Sequence, residues 1–266
     1  MGEAYGQGRL LAIDPTFRQR LQRGETVIGP LTGVNSPQLV DMLALAPYDF
    51  VLVDCEHGPI HDQDLENLCR IIRLRGKAPL CRVRDQHPKS IQRALDAGAL
   101  GVMIPGVDDA EAAREVAAAC RYAPEGTRGL FAGTAANDWF GAAATTYMPQ
   151  ANASVLCIVQ VESGRAVENA AAIAAVTGVD GIVIGPGDLS QSLGFPGQSD
   201  HPEVQAALAR AITGARQAGR WAGTVATEAT TARLRGLGCQ LFLVVATQVI
   251  TQAIRANATG IAEALR

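Results

Sequence analysis

Eight apolar stretches alternate with segments of helical periodicity along the chain. Most are apolar at successive positions rather than at every second position, which is typical of parallel strands buried on both faces. They predict strands at residues 26–29, 49–54, 78–83, 100–104, 155–161, 181–185, 221–225 and 241–245. Eight β–α pairs in 266 residues predict an α/β fold, a (β/α)8 TIM barrel, with a doubly wound open sheet as the alternative.

Capping residues support this alternation. Several segments begin at a capping residue or at proline and end at glycine, which is the usual asymmetry of helices. The predicted starts lie at Ser36, Asp62, Pro88, Asp108-Asp109 and Pro202, and the predicted ends at Gly76, Gly98 and Gly219. We expect one domain at residues 25–266, preceded by an N-terminal extension at residues 1–24.

One connection is much longer than the others. Residues 124–153 are rich in Gly, Ala and Thr and include Trp139, Phe140 and Tyr147. Loops of this length are uncommon in compact domains unless they are functional. A lid over an active site, a subunit contact and a plain surface excursion all stay open for this segment.

Composition narrows the class of protein. The chain is 48% hydrophobic and 18% charged, with a net charge of -3, so it gives no support for binding nucleic acid or acidic membranes. No apolar run approaches the ~20 residues of a membrane span, and the N-terminus lacks the apolar core of a secretory signal. We expect a cytoplasmic protein. Its six cysteines show no CxxC spacing and are expected to be reduced and structural.

Two carboxylates follow neighbouring predicted strands. Glu162 comes directly after VLCIVQV, and Asp188 comes shortly after GIVIG. The carboxyl ends of parallel strands meet at one edge, where such folds place their sites. Hard oxygen ligands of this kind suit a divalent cation with positions left for water or substrate. A capping Glu and a turn Asp would be the structural alternative for either residue alone; the pair favours a metal site.

Two further groups belong to the same predicted edge. His57 follows the second strand and can act as a general base near neutral pH, although a lone His there is more often structural. Arg82 interrupts the third strand and would be costly to bury without a partner, so the rim is its natural place. There it can hold a carboxylate or an enolate oxygen. By strand parity Arg82 and Arg84 face the same side, so position alone does not choose between them, and Arg82 could instead be a plain ion-pair residue.

Other polar positions carry weaker signals. Asp96 lies near a helix end and, from the pattern alone, is a solvated carboxylate. Gln160 shares a strand face with Glu162, so it either contacts substrate or fills the barrel. The run Gly185-Pro186-Gly187 resembles a dinucleotide loop only superficially, because Ser190 stands where the third glycine belongs. Binding of NAD is therefore not predicted.

Five segments, in order and in compatible spacing, carry a family resemblance: FVLVDCEHGP, APLCRV, GVMIPGVDDAEAAREVAAACRYAPEGTRG, VQVESGRAVEN and VDGIVIGPGDLSQSLG. The chain from about residue 25 resembles the HpcH/HpaI aldolase family. It is most similar to the branch of 4-hydroxy-2-oxoheptanedioate and 2-keto-3-deoxy-sugar-acid aldolases. The resemblance implies a (β/α)8 barrel and an aldolase that depends on Mg, Mn or Co and works through a pyruvate enolate.

The resemblance also implies residue roles and an assembly. Matched by position, Glu162 and Asp188 are the metal ligands, His57 the general base, Arg82 the arginine that stabilises the enolate, and Asp96 the acid that raises the basicity of the histidine. Gln160, Asp188 and the backbone at Gly187, where the family commonly has Ala, contact substrate. The family forms homohexamers, trimers of dimers, in which the C-terminal helix crosses to a neighbour. Here the amphipathic segment from Thr247 onward fits that role.

The function expected from these features is reversible retro-aldol cleavage of a 4-hydroxy-2-oxo acid to pyruvate, or a related 2-oxo acid, plus an aldehyde. Lysine is scarce, and neither Lys77 nor Lys89 ends a strand, so an imine mechanism is not required. Two activities on the same scaffold are alternatives, a malyl-CoA- or citryl-CoA-type lyase and an oxaloacetate decarboxylase. A third alternative is a non-catalytic barrel that binds a 2-oxo acid.

Overall fold

A closed barrel of eight parallel strands forms the centre of the protein. The computed structural model describes residues 15–266. Each strand pairs with its neighbours in sequence, and β1 pairs with β8 to close the barrel. The strands are β1 Val27–Thr32, β2 Phe50–Asp54, β3 Ala78–Arg82, β4 Gly101–Ile104, β5 Leu156–Val161, β6 Gly181–Ile184, β7 Trp221–Val225 and β8 Cys239–Val245. The predicted (β/α)8 barrel is confirmed, although β1 runs three residues further and β8 starts two residues earlier than the sequence pattern indicates.

Helices surround the barrel between successive strands. They are α1 Thr16–Gln22, α2 Pro37–Leu45, α3 Asp62–Leu74, α4 Pro88–Asp96, α5 Ala110–Ala119, α6 Ala144–Ser154, α7 Gly164–Glu168, α8 Ala170–Ala174, α9 Pro186–Ser192, α10 Pro202–Gln217, α11 Glu228–Leu237 and α12 Ala246–Ala264. The helix expected between β5 and β6 is divided into α7 and α8 at Asn169. The alternative of a turn at Asp188 is wrong, since this residue belongs to α9, which begins at Pro186.

Two apolar cores result from the alternation of side chains along the strands. Inward-facing residues such as Leu52, Leu80 and Ile158 fill the barrel. Outward-facing residues such as Val53 and Cys81 pack beneath the surrounding helices. Residues are buried on both faces of most strands, which is why the strands have continuously apolar sequences.

The amino ends of the strands are covered by α1. Phe17 and Leu21 of this helix are buried, and Phe17 packs edge-on against Phe50 at the start of β2. Arg18 pairs with Asp180 just before β6. Part of the predicted extension therefore packs on the barrel, while residues 1–14 lie outside the described residues. The domain division at residue 24 stays a prediction.

The long connection between α5 and β5 has its own packing. It contains a short 3-10 helix, Ala135–Asn137, and then α6. Tyr147 of α6 stacks edge-on against Tyr122, and both rings are fully buried. Before α6, Phe131, Trp139 and Phe140 remain exposed. The segment is thus anchored at its carboxyl end and presents an aromatic surface near its middle.

The last helix, α12, leaves the barrel after Ala246. All its later residues except the half-buried Ile250 are exposed, among them Val249, Ile254 and Ile261. At about 1.5 Å per residue, its 19 residues extend nearly 30 Å. Among residues 15–266, no helix is both long enough and apolar enough to cross a membrane.

Candidate active site

A layer of polar side chains closes the carboxyl end of the barrel. Side chains two apart on a strand share a face. The inward residues therefore change from apolar to polar as each strand ends: Leu52 to Asp54 on β2, Leu80 to Arg82 on β3, and Ile158 to Gln160 on β5. Active sites of barrels of this kind lie at the same end.

Arg82 is held by Asp54, its register partner on the neighbouring strand. Arg82 Nε donates to Asp54 Oδ1 at 2.8 Å, and Nη2 donates to Oδ2 at 2.6 Å. Burial acts to raise the pKa of Asp54, but the hydrogen bonds and charge of Arg82 outweigh it and place that pKa below its ordinary value. The result is a bidentate buried ion pair that fixes the plane of the guanidinium.

Glu56 is a member of the site that the sequence analysis missed. Its Oε2 lies 3.1 Å from Arg82 Nη1 and 3.8 Å from His57 Nε2. Burial raises the pKa of Glu56, and the charges of Arg82 and His57 only partly oppose this. The charge cluster Asp54-Cys55-Glu56-His57 at a strand end was the signal available in the sequence.

Glu162 occupies the same rim, directly after β5. Its Oε1 accepts a hydrogen bond from the backbone N–H of Gly106 at 2.8 Å, and its Oε2 accepts one from Gln160 Nε2. Burial, together with the negative charges of Asp188 and Glu56, raises the pKa of Glu162 to about 7. A carboxylate crowded by like charges is stabilised by a cation.

Asp188 faces Glu162 from the first turn of α9. Gly185, just before this helix, lies close to the neighbouring strand: a Cβ there would come within 2.9 Å of Gln160 Nε2 and 3.2 Å of Glu162 Oε2. Gly187, in contrast, would place a Cβ in open space. The glycine required by packing is therefore Gly185, and Gly187 leaves its exposed backbone accessible.

His57 stands at the mouth of the barrel, with 64% of its side chain exposed. Its backbone N–H donates to Asp54 Oδ1 at 3.3 Å, which holds the turn after β2. Gly58 permits this turn, because a Cβ there would lie 2.4 Å from the Asp54 carbonyl oxygen. The imidazole is therefore accessible to substrate, and its Nε2 lies 3.8 Å from Glu56 Oε2, the oxygen that also faces Arg82.

Gln160, Asp188 and Arg82 lie near Glu162, and Gly187 directly precedes Asp188. His57 is connected to Arg82 through Glu56. The roles assigned to these residues stay predictions.

Asp96 is placed elsewhere within the chain. It is the last residue of α4, and this helix runs back towards the amino end of β4. Its Oδ1 accepts from Arg128 Nη2 at 2.6 Å and its Oδ2 accepts from Gln92 Nε2 at 3.3 Å. Among residues 15–266, the carboxylate within 4.0 Å of a His57 nitrogen is Glu56 rather than Asp96. The role of Asp96 as partner of His57 stays a prediction.

The choice between Arg82 and Arg84 has a structural answer. Because Arg82 and Arg84 are two positions apart, strand alternation would put both on the same side. This is wrong, because β3 ends at Arg82. Arg84 lies in the following turn, is exposed, and donates to the Ile60 carbonyl at 2.7 Å. Of the two, Arg82 is the arginine of the polar layer.

The donors at the rim fit a hard divalent cation. Glu162 and Asp188 offer carboxylate oxygens, and Gln160 Oε1 is a buried acceptor without a hydrogen-bond partner. The described residues contain no cluster of three or more His, Cys, Asp or Glu side chains placed to hold a metal. Two carboxylates with the remaining positions open are nevertheless the usual protein contribution to a magnesium site that also binds substrate.

Comparison with known proteins decides the family. The sequence model of the HpcH/HpaI aldolase/citrate lyase family matches residues 31–241. The chain belongs to this family. The 2-keto-3-deoxy-L-rhamnonate aldolase of Klebsiella pneumoniae is 41% identical over 212 residues, which are 80% of this chain and 79% of that protein.

Solved structures of the HpcH/HpaI family agree. A family protein from Burkholderia cenocepacia superposes with a TM-score of 0.87 at 33% identity, covering 95% of this chain and all of that one. An HpcH/HpaI aldolase from Desulfitobacterium hafniense gives a TM-score of 0.86 at 30% identity, covering 92% and 95% of the two chains. The protein is an aldolase, a carbon–carbon lyase.

Proposed function

We propose that this aldolase cleaves a 2-keto-3-deoxy sugar acid, a 4-hydroxy-2-oxo acid, to pyruvate and a hydroxyaldehyde with the help of Mg, Mn or Co. The observation that carries the proposal is the crowded carboxylate Glu162 near Arg82, with His57 connected to Arg82 through Glu56. The sugar-acid class is suggested by the name of the relative from Klebsiella pneumoniae.

Support for the metal comes from electrostatics. The pKa of Glu162 is about 7 because its ionised form is unfavourable when buried near Asp188. A cation bound between the two carboxylates would remove this unfavourable interaction. Glu162 and Asp188 would hold the cation, and Gln160 Oε1 could accept a hydrogen bond from a bound water or the substrate. A cation in this position polarises the keto and carboxylate oxygens of a 2-oxo acid.

The protein's own side chains and backbone would carry out the proton transfer and stabilise the charge. His57 takes the proton of the C4 hydroxyl, the C3–C4 bond breaks, and the aldehyde leaves. Arg82 faces the negative charge that develops on the pyruvate oxygen. Two of its five N–H donors are bound by Asp54, so the guanidinium enters the reaction already oriented. Exposed backbone at Gly187 is available to the substrate carboxylate.

A coupled assay of pyruvate release tests the proposal. Several 4-hydroxy-2-oxo acids, sugar acids among them, are supplied with the metal-free protein and with added Mg, Mn or Co. We expect release only with metal, abolished by EDTA and restored by re-addition. Full activity in EDTA, or a reduced imine trapped by borohydride and pyruvate, would contradict it. Activity confined to a CoA thioester or to oxaloacetate would favour the alternative reactions.

The assembly is a separate proposal. Nearly all of α12 beyond Ala246 is exposed, including the apolar Val249, Ile254 and Ile261, and we infer that it packs on a neighbouring copy in a homo-oligomer. The hexamer implied by the family resemblance, like the cytoplasmic location, stays a prediction. Light scattering tests it: Ile254→Glu should lower the molecular mass in solution, and Arg255→Glu is the control beside it. A monomeric parent protein would contradict it.

A further inference from the structure

A cavity lies on the outer face of β2 and β3, on the opposite side of these strands from the polar layer. It has a volume of about 210 Å³ and opens between α3 and α4. Among its lining residues are two cysteines, three cations and one carboxylate: Cys55, Cys81, Arg84, Lys89, Arg93 and Asp62. None of these residues takes part in the proposed aldol reaction.

The two thiols face each other at the inner wall of the cavity. Strand alternation turns Arg82 into the barrel, so the preceding Cys81 points outward, and Cys55 follows inward-facing Asp54. Cys81 donates a thiol hydrogen bond to Cys55, with the sulfurs 3.7 Å apart. This hydrogen bond and the charge of Arg84 lower the pKa of Cys55, although burial opposes them.

Charge around the cavity favours an anion. Arg93 is paired with Asp62, whereas Arg84 donates to a backbone carbonyl and Lys89 to the side chain of Gln92. Among the lining residues, two cations are therefore not neutralised by a carboxylate. Arg84 and Lys89 are both exposed at the opening, so they meet a ligand before it reaches the sulfurs.

We propose that this cavity is a site of thiol–disulfide exchange for small anionic disulfides, in which Cys55 attacks the ligand first and Cys81 then completes an internal disulfide. Proximity of the two sulfurs and a cationic opening are the features that carry the proposal. It goes beyond aldol cleavage and involves no residue assigned to that reaction.

The chemistry balances with the disulfide as the only oxidant. The Cys55 thiolate attacks one sulfur of the ligand, forming a mixed disulfide and releasing the first ligand thiolate. Cys81 then loses its proton and attacks Cys55 Sγ, which forms the Cys55–Cys81 bond and releases the second ligand thiolate. The protein dithiol is oxidised by two electrons, and the ligand disulfide is reduced to two thiols.

Formation of the Cys55–Cys81 disulfide should alter the active site. The sulfurs must approach from 3.7 Å to about 2.0 Å, and each cysteine is adjacent to a residue of the buried ion pair, Asp54 or Arg82. The turn that carries Glu56 and His57 follows Cys55 directly. We therefore expect the oxidised protein to lose most of its aldolase activity and to regain it with dithiothreitol.

The test compares two reagents on the intact protein, the dianionic dithiobis(nitrobenzoate) and the uncharged dithiodipyridine. We expect the dianion to release two equivalents of aromatic thiolate per chain, about tenfold or more faster than from the other cysteines, with no label retained. Peptide mass spectrometry should show the Cys55–Cys81 crosslink. Arg84→Gln with Lys89→Gln should slow the dianion and leave the uncharged reagent unaffected.

Variants separate the two steps. Cys81→Ala should release one equivalent of aromatic thiolate and keep one reagent group bound, while Cys55→Ala should lose the fast phase.

The pair Cys120 and Cys157 is the control, since both thiols are fully buried and line none of the cavities described in residues 15–266. An unchanged fast phase in Cys55→Ala, a crosslink at Cys120–Cys157 instead, or full activity of the crosslinked protein would overturn the proposal. Should Cys55→Ala fail to fold, Cys55→Ser replaces it. An untreated protein without aldolase activity would count against the proposed function and leave the thiol result to be read on its own.

Discussion

Asp54 and Arg82 form a buried, bidentate ion pair between neighbouring strands, with N–O distances of 2.8 and 2.6 Å. The pair ends the apolar interior of the barrel and begins its reactive rim. Such a pair adds little to the free energy of unfolding, because desolvation offsets much of the attraction. Removing one partner is nevertheless costly, because it leaves a buried charge without a partner. Its main contribution here is to orient a guanidinium.

Substitution of Asp54 should therefore impair activity, measured with Asp54→Asn, and stability, measured with Asp54→Ala. We expect kcat to fall about 10²-fold, because Arg82 loses its orientation. Asp54→Ala should cost about 3–5 kcal/mol in the free energy of unfolding. Pyruvate release and urea unfolding measure the two effects. Asp41→Asn is the control, since Asp41 makes the same bidentate contact with Arg75 at the surface and should change neither. Equal effects at Asp41 and Asp54 would contradict the account.

Arg82→Lys should lower kcat about 10²–10³-fold, because an ammonium group cannot reproduce the planar contact with Asp54 or the donors that face the substrate. The Kd for manganese should change much less. Arg84→Gln is the control. It should retain the parent kcat, because Arg84 lies outside the polar layer. Steady-state kinetics and calorimetric metal titration separate the two quantities. A fully active Arg82→Lys protein would remove the assigned role.

Two glycines at the start of α9 should respond in opposite ways to substitution by alanine. At Gly185 a Cβ would press on Gln160 and Glu162, so metal affinity should fall by about tenfold or more. At Gly187 a Cβ meets nothing within 4 Å, and activity should be retained. The same metal titration and pyruvate assay measure both variants. Loss of activity in Gly187→Ala alone would show that the open space at that position is needed by substrate.

Metal binding should depend on the proton of Glu162. Its pKa of about 7, against an ordinary 4.5, means that the folded metal-free protein keeps a proton that the unfolded chain has lost between those values. Stability without metal should therefore fall as the pH rises through this window. Metal binding should release about one proton at pH 6 and almost none at pH 8. Calorimetry in buffers of different ionisation enthalpy measures this; Glu162→Gln should abolish the proton release, and proton uptake in the parent protein would contradict it.

Much of this architecture could be predicted from apolar periodicity and strand ends. Eight continuously apolar strands required burial on both faces, and Glu162 had to leave β5 at the carboxyl end. Positions beyond a strand end could not be predicted in the same way. Arg84 follows the end of β3 and turns outward, and Asp188 lies on a helix rather than in a turn. Parity arguments fail once the extended backbone stops.

Glu56 and Asp96 show two other limits of prediction from the sequence. Glu56 belongs to the site because of a turn whose shape depends on the contact between Gly58 and the Asp54 carbonyl, which no periodicity describes. Asp96 received its role from the family resemblance alone. In the described structure it pairs with Arg128 and not with His57, so its part in catalysis stays a prediction.

The most direct test is a crystal structure of the protein with manganese and the unreactive dianion oxalate, recorded at the manganese absorption edge. The account predicts one anomalous peak per chain, with carboxylate oxygens of both Glu162 and Asp188 at about 2.0–2.3 Å and oxalate between the ion and Arg82. A peak bound by other residues, or none at saturating manganese, would contradict it.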